Sequence, residues 1–272
     1  MKNGYRIIDA HAHIYPEKIA QKATLAIGDF YDIKMAMPAG TSSRLKIAGE
    51  SAGIDKFVVH SCATNAHQVR AINHFIKAEV EQNKEFIGFM TLHQDLTEEE
   101  IKDEIAWCME NGFKGIKLHP DFQKFYIDGE DAEKIYRAVE SFNKKFPILF
   151  HTGDDRYEYS KPLRLAKMAK KYPSVYFIAA HFGGYRCWDD VEVYKGLDNV
   201  YFDTCSSLTF IDKNRAKELI DLLGYEKFFF GVDFPMWDSK EELDRFFELD
   251  LSEKERKAIL SGNLTKLLDL KW

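Results

Sequence analysis

The feature that most constrains the fold is a repeated alternation between a short apolar stretch and a stretch with the spacing of an amphipathic helix. Such βα units predict a parallel sheet, and eight of them within 272 residues predict a closed (β/α)8 TIM barrel. An open doubly wound sheet is the alternative, but the Gly-rich phosphate-binding turn typical of that fold is missing after the first stretch. The predicted strands span residues 7–13, 56–61, 86–93, 115–119, 147–151, 175–181, 200–204 and 228–233.

Residues 15–40 interrupt this alternation between the first predicted strand and its helix. Pro16, Gly28, Pro38 and Gly40 are helix breakers, so we interpret the segment as an irregular insertion that contains short helical pieces. Neither a linker nor a shift in composition divides the rest of the chain. The sequence therefore predicts one α/β domain over residues 1–272. Helices are predicted at residues 41–53, 66–83, 97–111, 130–144, 162–171, 189–194 and 213–223, and from 239 onward, the last from 253 to 270.

Composition excludes several classes of function. The formal net charge is −6 and no basic cluster occurs, so nucleic-acid binding is not expected. No apolar run approaches the ~18 residues of a membrane span, and no signal-peptide pattern opens the chain. The four cysteines include no Cys-x-x-Cys pair, which predicts reduced thiols and a cytoplasmic protein. The expected partner is a small-molecule substrate, and a homodimer is left open.

Two histidines one residue apart end the first predicted strand. Side chains alternate along a strand, so His11 and His13 point to one face while Ala12 points to the other. Two imidazoles on one face are half of a divalent-metal site. The competing interpretation is a pair of surface histidines in a loop or in the remnant of a tag.

Polar residues elsewhere favour the metal interpretation. Active sites of (β/α)8 barrels lie at the carboxyl ends of the strands, and Asp233 ends the eighth predicted strand. Of the nine histidines, only His67 and His74 fall in a predicted helix. Each remaining histidine could still be a hydrogen-bonded strand-end residue. The seven histidines at or near strand ends are His11, His13, His60, His93, His119, His151 and His181.

At this point the sequence resembles the amidohydrolase superfamily. The resemblance rests on the histidine pair of strand one, a histidine ending strands five and six, and an aspartate ending strand eight. Within the superfamily, the sequence most resembles the amidohydrolase-related branch, which also contains decarboxylases such as 2-amino-3-carboxymuconate-6-semialdehyde decarboxylase. The supporting motifs are Gly115-Ile-Lys-Leu-His-Pro120, His181-Phe-Gly-Gly184, Gly231-Val-Asp-Phe-Pro235 and Ile259-Leu-Ser-Gly-Asn-Leu-Thr-Lys-Leu267.

The resemblance implies that His11, His13, His151 and Asp233 bind one divalent ion, Zn²⁺ first and Mn²⁺ second. Imidazole and carboxylate ligands agree with this chemistry. Asp233 is implied as the catalytic general base that accepts a proton from metal-activated water. His181 is implied as a second catalytic residue that orients water or polarises a carbonyl. Direct metal ligation and a structural hydrogen bond are the alternatives for His181.

Three residues are predicted to contact the substrate. Lys117 and His119 share one face of strand four, so both are expected inside the barrel mouth. A buried amine needs a partner, and for Lys117 we expect a salt bridge to Asp9 or Asp203, or an anionic substrate. A carboxylated Lys117 bridging two metals is the alternative. Arg156, among the tyrosines of the loop after strand five, is expected to clamp a carboxylate or else to be solvated.

Two enzymatic functions share this ligand set. The first is a metal-dependent hydrolase that acts on an amide, ester or lactone of a small carboxylate-bearing molecule. The second is a decarboxylase or hydratase of a small unsaturated or aromatic acid. A non-catalytic metal-binding barrel is the third interpretation. His60 and His93 could line the pocket or could pack at the strand ends. No base is apparent in the sequence that would activate Cys205 as a nucleophile.

Overall fold

The predicted barrel is confirmed by the computed structural model, which describes residues 4–272. Eight parallel strands pair in chain order, β1 with β2 through to β7 with β8. The sheet nearly closes, since Ala10 N donates to Phe230 O at 2.9 Å and His13 N to Phe234 O at 2.7 Å. The strands are β1 Ile8–His13, β2 Lys56–His60, β3 Phe86–Thr91, β4 Gly115–Leu118, β5 Ile148–Phe150, β6 Phe177–Ala179, β7 Val200–Asp203 and β8 Phe228–Phe229.

The helices follow the strands as predicted, except that the segment predicted at residues 189–194 is a 3-10 helix, Trp188–Tyr194. Side-chain caps form where the sequence provides them. Thr97 and Glu100 form a reciprocal capping box at one helix start. The predicted last helix is interrupted by a π-helical turn at Ala258–Gly262. The α-helices are α1 Glu17–Tyr31, α2 Ser42–Ala52, α3 Val69–Gln82, α4 Glu98–Glu110, α5 Pro120–Gln123, α6 Glu130–Ser141, α7 Pro162–Lys171, α8 Lys213–Leu223, α9 Ser239–Phe247, α10 Glu253–Lys257 and α11 Asn263–Leu268.

The insertion after strand one is more regular than predicted. Much of it is the helix α1, which runs through Gly28 without a break. Ala20, Thr24 and Gly28 form the buried stripe of this helix. A Cβ at Gly28 would lie 2.9 Å from Ile33 O, so the glycine serves close packing instead of breaking the helix. The prediction of short helical pieces was wrong because tertiary packing overrides the intrinsic cost of glycine in a helix.

Barrel packing directs the polar side chains to one end. On β4, Ile116 and Leu118 pack toward the helices, while the Lys117 side chain between them points into the barrel. The opposite end of the barrel is filled by an apolar cluster that includes Phe89, Leu149 and, from α11, Leu264. The functional pocket is thereby confined to the carboxyl ends of the strands, as in other barrels of this type.

Candidate active site

A small pocket lies at the carboxyl ends of the strands. It has a cavity volume of about 20 Å³, which is enough for about one water molecule or one ion. Side chains from five strand ends and from the insertion line it. They are His11, His13, Ile27, Tyr31, Met35, Lys117, His119, Phe122, His151, His181, Asp233, Pro235 and Met236.

All four predicted metal ligands line this pocket, and three of them converge on one point. Asp233 Oδ1 lies 3.6 Å from His11 Nε2 and 3.5 Å from His13 Nε2. All three side chains are buried. This arrangement supplies three ligand atoms, two imidazole nitrogens and one carboxylate oxygen, on one side of a candidate divalent-metal site.

A carboxylate behind His11 selects the tautomer that a metal requires. Asp203 Oδ2 lies 2.8 Å from His11 Nδ1, so Nδ1–H donates to Asp203 and Nε2 keeps its lone pair toward Asp233. Asp203 Oδ1 also accepts from the backbone N–H of His181 at 2.8 Å. Sequence reasoning assigned Asp203 no part in the metal site, although its place at the end of β7 was a usable signal.

His60 provides a fourth nitrogen next to the cluster. Its ring meets that of His13 edge-on, with the ring centroids 4.4 Å apart. One ligand nitrogen from each of His11, His13 and His60 lies within 4.8 Å of the other two. Among residues 4–272, neither nitrogen of the fully buried His60 has a hydrogen-bond partner. A buried polar atom without a partner is costly, so this donor set fits a divalent ion.

Burial keeps the imidazoles of the pocket neutral. It lowers the pKa of His11 and His13 well below the usual range, and the charge of Lys117 lowers both further. Burial has the same effect on His60 and His181. A neutral imidazole has the free lone pair that metal ligation needs. In contrast, burial raises the pKa of Asp233 to about 6.

The two predicted catalytic residues share an uncommon backbone conformation. His181 has φ 63° and Asp233 has φ 66°, both in the left-handed region that side chains other than glycine rarely adopt. Asp233 is anchored there by two contacts. Its backbone N–H donates to His11 O at 2.8 Å, and Ser206 Oγ donates to its Oδ2 at 2.5 Å.

His151, the fourth predicted metal ligand, lies at the pocket but faces another histidine. Its Nε2 donates to Gly153 O at 2.8 Å, and its Nδ1 lies 2.9 Å from His181 Nε2. The ring also stacks on His119, with the centroids 4.1 Å apart. The structure thus brings His151 and His181 together beside the cluster of His11, His13 and Asp233, and metal ligation by His151 stays a prediction.

Lys117 enters the pocket as expected but pairs differently. Its Nζ lies 2.8 Å from His11 Nε2, and the residue is fully buried. Within residues 4–272 it forms no ion pair with Asp9 or Asp203 within 4.0 Å, so the expected salt bridge to either was wrong. Both oxygens of Asp203 are engaged, by His11 Nδ1 and by the backbone N–H of His181. Asp9 Oδ1 accepts from the N–H groups of His11 and Val232, while its Oδ2 has no partner among residues 4–272.

Cys205 lies against two imidazoles. Its Sγ is 3.2 Å from Nδ1 of both His11 and His181, and 2.9 Å from Asp203 Oδ1. The sequence had suggested no base for this thiol; in the structure His11 Nδ1 is protonated toward Asp203, which leaves His181 Nδ1 as the one neighbouring imidazole nitrogen that could act as a base. Burial nevertheless raises the thiol pKa well above its usual range, so the protonated form donates to Asp203.

The chain resembles known proteins over nearly its whole length. Residues 8–270 match the family model described as amidohydrolase. The chain belongs to the amidohydrolase family. No curated protein matches the sequence. The family match confirms the predicted superfamily, and with the His/Asp cluster it makes this amidohydrolase-family protein a metal-dependent enzyme.

Solved structures with a similar fold include decarboxylases of aromatic acids. The 5-carboxyvanillate decarboxylase of Sphingomonas paucimobilis gives a TM-score of 0.77 at 13% identity, over 98% of this chain and 100% of that chain. That of Novosphingobium aromaticivorans DSM 12444, complexed with manganese and 4-hydroxy-3-methoxy-5-nitrobenzoic acid, gives 0.78 at 17% identity, over 99% and 97%. The dihydroxybenzoic acid decarboxylase of Polaromonas sp. JS666, with manganese and the inhibitor 2-nitroresorcinol, gives 0.74 at 17%, over 98% and 97%. At these identities the likeness establishes the fold.

The insertion of this amidohydrolase-family chain contributes a pocket residue that the sequence motifs did not indicate. Tyr31, the last residue of α1, places its hydroxyl 2.8 Å from His119 Nε2. His119 Nδ1 accepts from Phe122 N at 3.3 Å, so Nε2 carries the proton and donates to Tyr31 Oη. The Tyr31 O–H then remains a donor for another acceptor in the pocket.

Arg156 holds this end of α1 in place. Its guanidinium donates to both oxygens of Asp154, at 2.8–3.0 Å, and to Phe30 O at 2.6 Å. It also lies over the rings of Phe30, Tyr31 and Tyr157, within 5.4 Å of each centroid. Arg156 does not line the pocket, so the expected clamp on a substrate carboxylate stays a prediction. In the structure its contacts hold the end of α1 against the loop after β5.

Other sequence expectations have simpler outcomes. His93 is buried at the end of β3 and contacts Asp95, outside the pocket. The four cysteines are free thiols. Across residues 4–272 no helix is both long enough and apolar enough to cross a bilayer.

Proposed function

We propose that this protein is a metal-dependent decarboxylase of a small aromatic or unsaturated carboxylic acid. The observation that carries the proposal is the convergence of His11, His13 and Asp233 on one buried point, surrounded by further nitrogen donors. Such a site suits a substrate that presents a negative charge and needs a proton delivered nearby. The sequence had favoured hydrolysis first and decarboxylation second, and we reverse that order.

Two features support decarboxylation over hydrolysis. The structures of similar fold include decarboxylases of 5-carboxyvanillate and of dihydroxybenzoic acid. The pocket also has an aromatic wall, formed by Tyr31 and Phe122 with ring centroids 5.9 Å apart; Tyr185 packs against Tyr31 at 5.6 Å. Aromatic side chains favour flat, apolar ligands through edge-to-face and offset contacts.

The metal would be held by His11, His13 and Asp233, with His60 or His151 completing the set. When bound, the ion supplies positive charge that binds and orients the substrate's anionic oxygens. Manganese is present in two of the similar structures, so we place Mn²⁺ beside the Zn²⁺ expected from the ligand types. Asp203 orients His11 through its 2.8 Å contact and so fixes the coordinating nitrogen.

The reaction exchanges a carboxylate for a proton. The bond between the substrate carbon and its carboxylate breaks, the electron pair stays on that carbon, carbon dioxide leaves, and a proton joins the carbon. No oxidant or reductant is needed. Asp233 and His181 are both buried, and a carboxylate oxygen of one lies within 4.8 Å of a ring nitrogen of the other. They are the residues we assign to hold and deliver that proton.

Hydrolysis is retained as a second candidate for one reason. The cavity has room for about one water beside Asp233, which a hydrolytic mechanism needs. In that case Asp233 would accept the proton of the attacking water.

Two measurements test the proposal. Elemental analysis of purified protein is expected to find about one manganese or zinc per chain, and a chelator is expected to remove activity that either metal restores. A panel of hydroxybenzoic and unsaturated acids is then assayed for carbon dioxide release, beside a matched panel of amides, esters and lactones. Release of carbon dioxide supports the proposal. Turnover confined to the second panel overturns it in favour of hydrolysis, and no turnover with metal bound favours a binding protein.

A further inference from the structure

A second, much larger cavity adjoins the metal pocket. It is a groove of about 580 Å³ between α1 and α3, a size in the range of small-molecule sites, whereas the metal pocket has about 20 Å³. Ile19, half exposed, contributes to one wall. The walls are mainly aliphatic and aromatic, with Ile19, Ala23 and Ala26 on α1 and Ala71, Ile72 and Phe75 on α3.

The groove and the metal pocket share part of their lining. His13, Ile27 and Phe122 contact both cavities. His13 is one of the three converging metal ligands, so a molecule in the groove lies next to the metal centre at that residue. The groove therefore adjoins the reaction site and is not an isolated patch on the barrel surface.

The metal pocket is too small to hold a whole substrate in this arrangement. Tyr31 covers it by bonding to His119, and the Arg156 contact to Phe30 O keeps Tyr31 in place. Space for about one water accommodates a metal ion or a carboxylate oxygen, but not an aromatic ring. The body of the substrate has to lie outside the pocket unless α1 moves.

We infer that the groove between α1 and α3 binds the apolar body of the substrate, an aryl or alkyl group, while the acid group reaches the metal centre past His13. This inference rests on the proposed function for the acid group and adds the class of substrate: an acid with an extended apolar substituent. The metal ligand His13 lines both the groove and the metal pocket, and this selects a substrate over a segment of another protein as the occupant.

Two polar groups of the groove, those of Ser61 and Cys62, agree with an apolar occupant, whereas Asp121 Oδ1 in the same lining has no hydrogen-bond partner among residues 4–272. Ser61 Oγ donates to Ile14 O, so its hydroxyl is already used. Cys62 is half-buried in the lining, and a thiol behaves as a small hydrophobic group. Lys124 is exposed, at the outer part of the lining. Burying a substituent on such a surface is worth roughly a factor of four in affinity per methylene.

The test compares binding of benzoate and 4-butylbenzoate to the metal-loaded protein by calorimetry. We expect 4-butylbenzoate to bind at least about tenfold more tightly, because its butyl group leaves water for the groove. Ala26→Trp fills the groove from α1 and is expected to abolish this preference. Gln21→Trp, on the exposed far face of the same helix, is the matched control and is expected to keep it.

Two further measurements test whether the groove binds the substituent without depending on the folding of Ala26→Trp or on turnover. Ala26→Leu, a milder filling, is expected to reduce the preference partially, with metal content and circular dichroism unchanged in all variants. Ligand in the groove is also expected to slow alkylation of Cys62 by N-ethylmaleimide, since the other three cysteines are buried. Both readouts are independent of turnover, so failure of the decarboxylase assay does not affect them.

Three results overturn the inference. Equal affinity for the two acids excludes an apolar subsite. An unchanged preference in Ala26→Trp places the butyl group elsewhere, under a displaced Tyr31. A dimer in light scattering that Ala26→Trp dissociates, with no preference between the acids, assigns the groove to a second copy of the chain.

Discussion

The Nζ atom of Lys117 lies 2.8 Å from Nε2 of His11, the nitrogen that also faces Asp233. The amine of a buried lysine thus occupies the position from which His11 would bind a metal. A divalent ion and a lysine ammonium repel each other strongly at such distances in a buried site. Metal binding therefore requires Lys117 to turn away from His11 or to lose its charge.

Lys117→Met is expected to increase the affinity for Mn²⁺ and Zn²⁺ by about tenfold, because it removes the competing charge. Competition with a fluorescent chelator measures this. Lys114→Met, at the other end of β4, is the control and should leave the affinity unchanged. Weaker metal binding in Lys117→Met, with an added carbon dioxide in the intact mass of the unmodified protein, would instead indicate a carboxylated lysine.

Asp233→Asn is expected to lower turnover at least about 100-fold, because the side chain loses both its basic oxygen and its charge toward the metal. Thermal unfolding should still show a cooperative transition, since the amide keeps an oxygen that accepts from Ser206. Asp238→Asn on the same loop is the control, because asparagine also caps helices well and the cap of α9 is preserved. Activity near that of the control would remove Asp233 from the mechanism.

Tyr31→Phe is expected to reduce kcat/KM about tenfold, because the pocket loses the hydroxyl that orients His119 while the aromatic ring is retained. Steady-state kinetics with the best acid of the panel provides the measurement. Tyr126→Phe, an exposed tyrosine outside the pocket, is the matched control. If Tyr31 only covers the pocket, the variant will match the control.

Arg156→Met is expected to speed amide hydrogen exchange at the end of α1 about tenfold, because it removes the contacts to Phe30 O and Asp154. Arg164→Met is the control: Arg164 pairs with Asp128 and lies over Tyr126, away from α1. Exchange is measured by mass spectrometry on peptides covering α1. A raised KM with unchanged exchange would instead support the substrate clamp expected from the sequence.

Glu242→Gln is expected to stabilise the protein above about pH 7. Burial raises the pKa of Glu242 from 4.5 to about 7, so the folded protein keeps a proton that the unfolded chain releases. The contribution of Glu242 to the free energy of unfolding therefore falls as pH rises from about 4.5 to about 7, by an amount on the order of 1–3 kcal/mol. Urea unfolding at pH 5 and pH 8 should show the gain at pH 8 only.

The control for this prediction is Glu241→Gln. Glu241 is exposed and pairs with the same Arg245 that contacts Glu242. Exposed ion pairs contribute little, so its substitution should change stability by less than about 1 kcal/mol at either pH. Equal gains in both variants would mean that net charge, and not burial of Glu242, sets the pH dependence.

The sequence by itself determined the barrel and the polar end of it. Short apolar runs, each followed by a stretch with helical spacing, leave a parallel sheet as the consistent arrangement. Because parallel strands end at one edge, His11, His13, His119, His151, His181 and Asp233 had to meet there. Local pattern and chain order suffice for these conclusions, since each depends on residues adjacent in sequence or on the common direction of the strands.

Only the tertiary structure decided which of those residues pair. The tautomer of His11 depends on Asp203, and the burial of His60 against His13 depends on how β1 and β2 align. The sequence also missed that α1 continues through Gly28 to bring Tyr31 over the pocket. These contacts join residues far apart in the chain, and their geometry depends on side-chain packing that no local periodicity encodes.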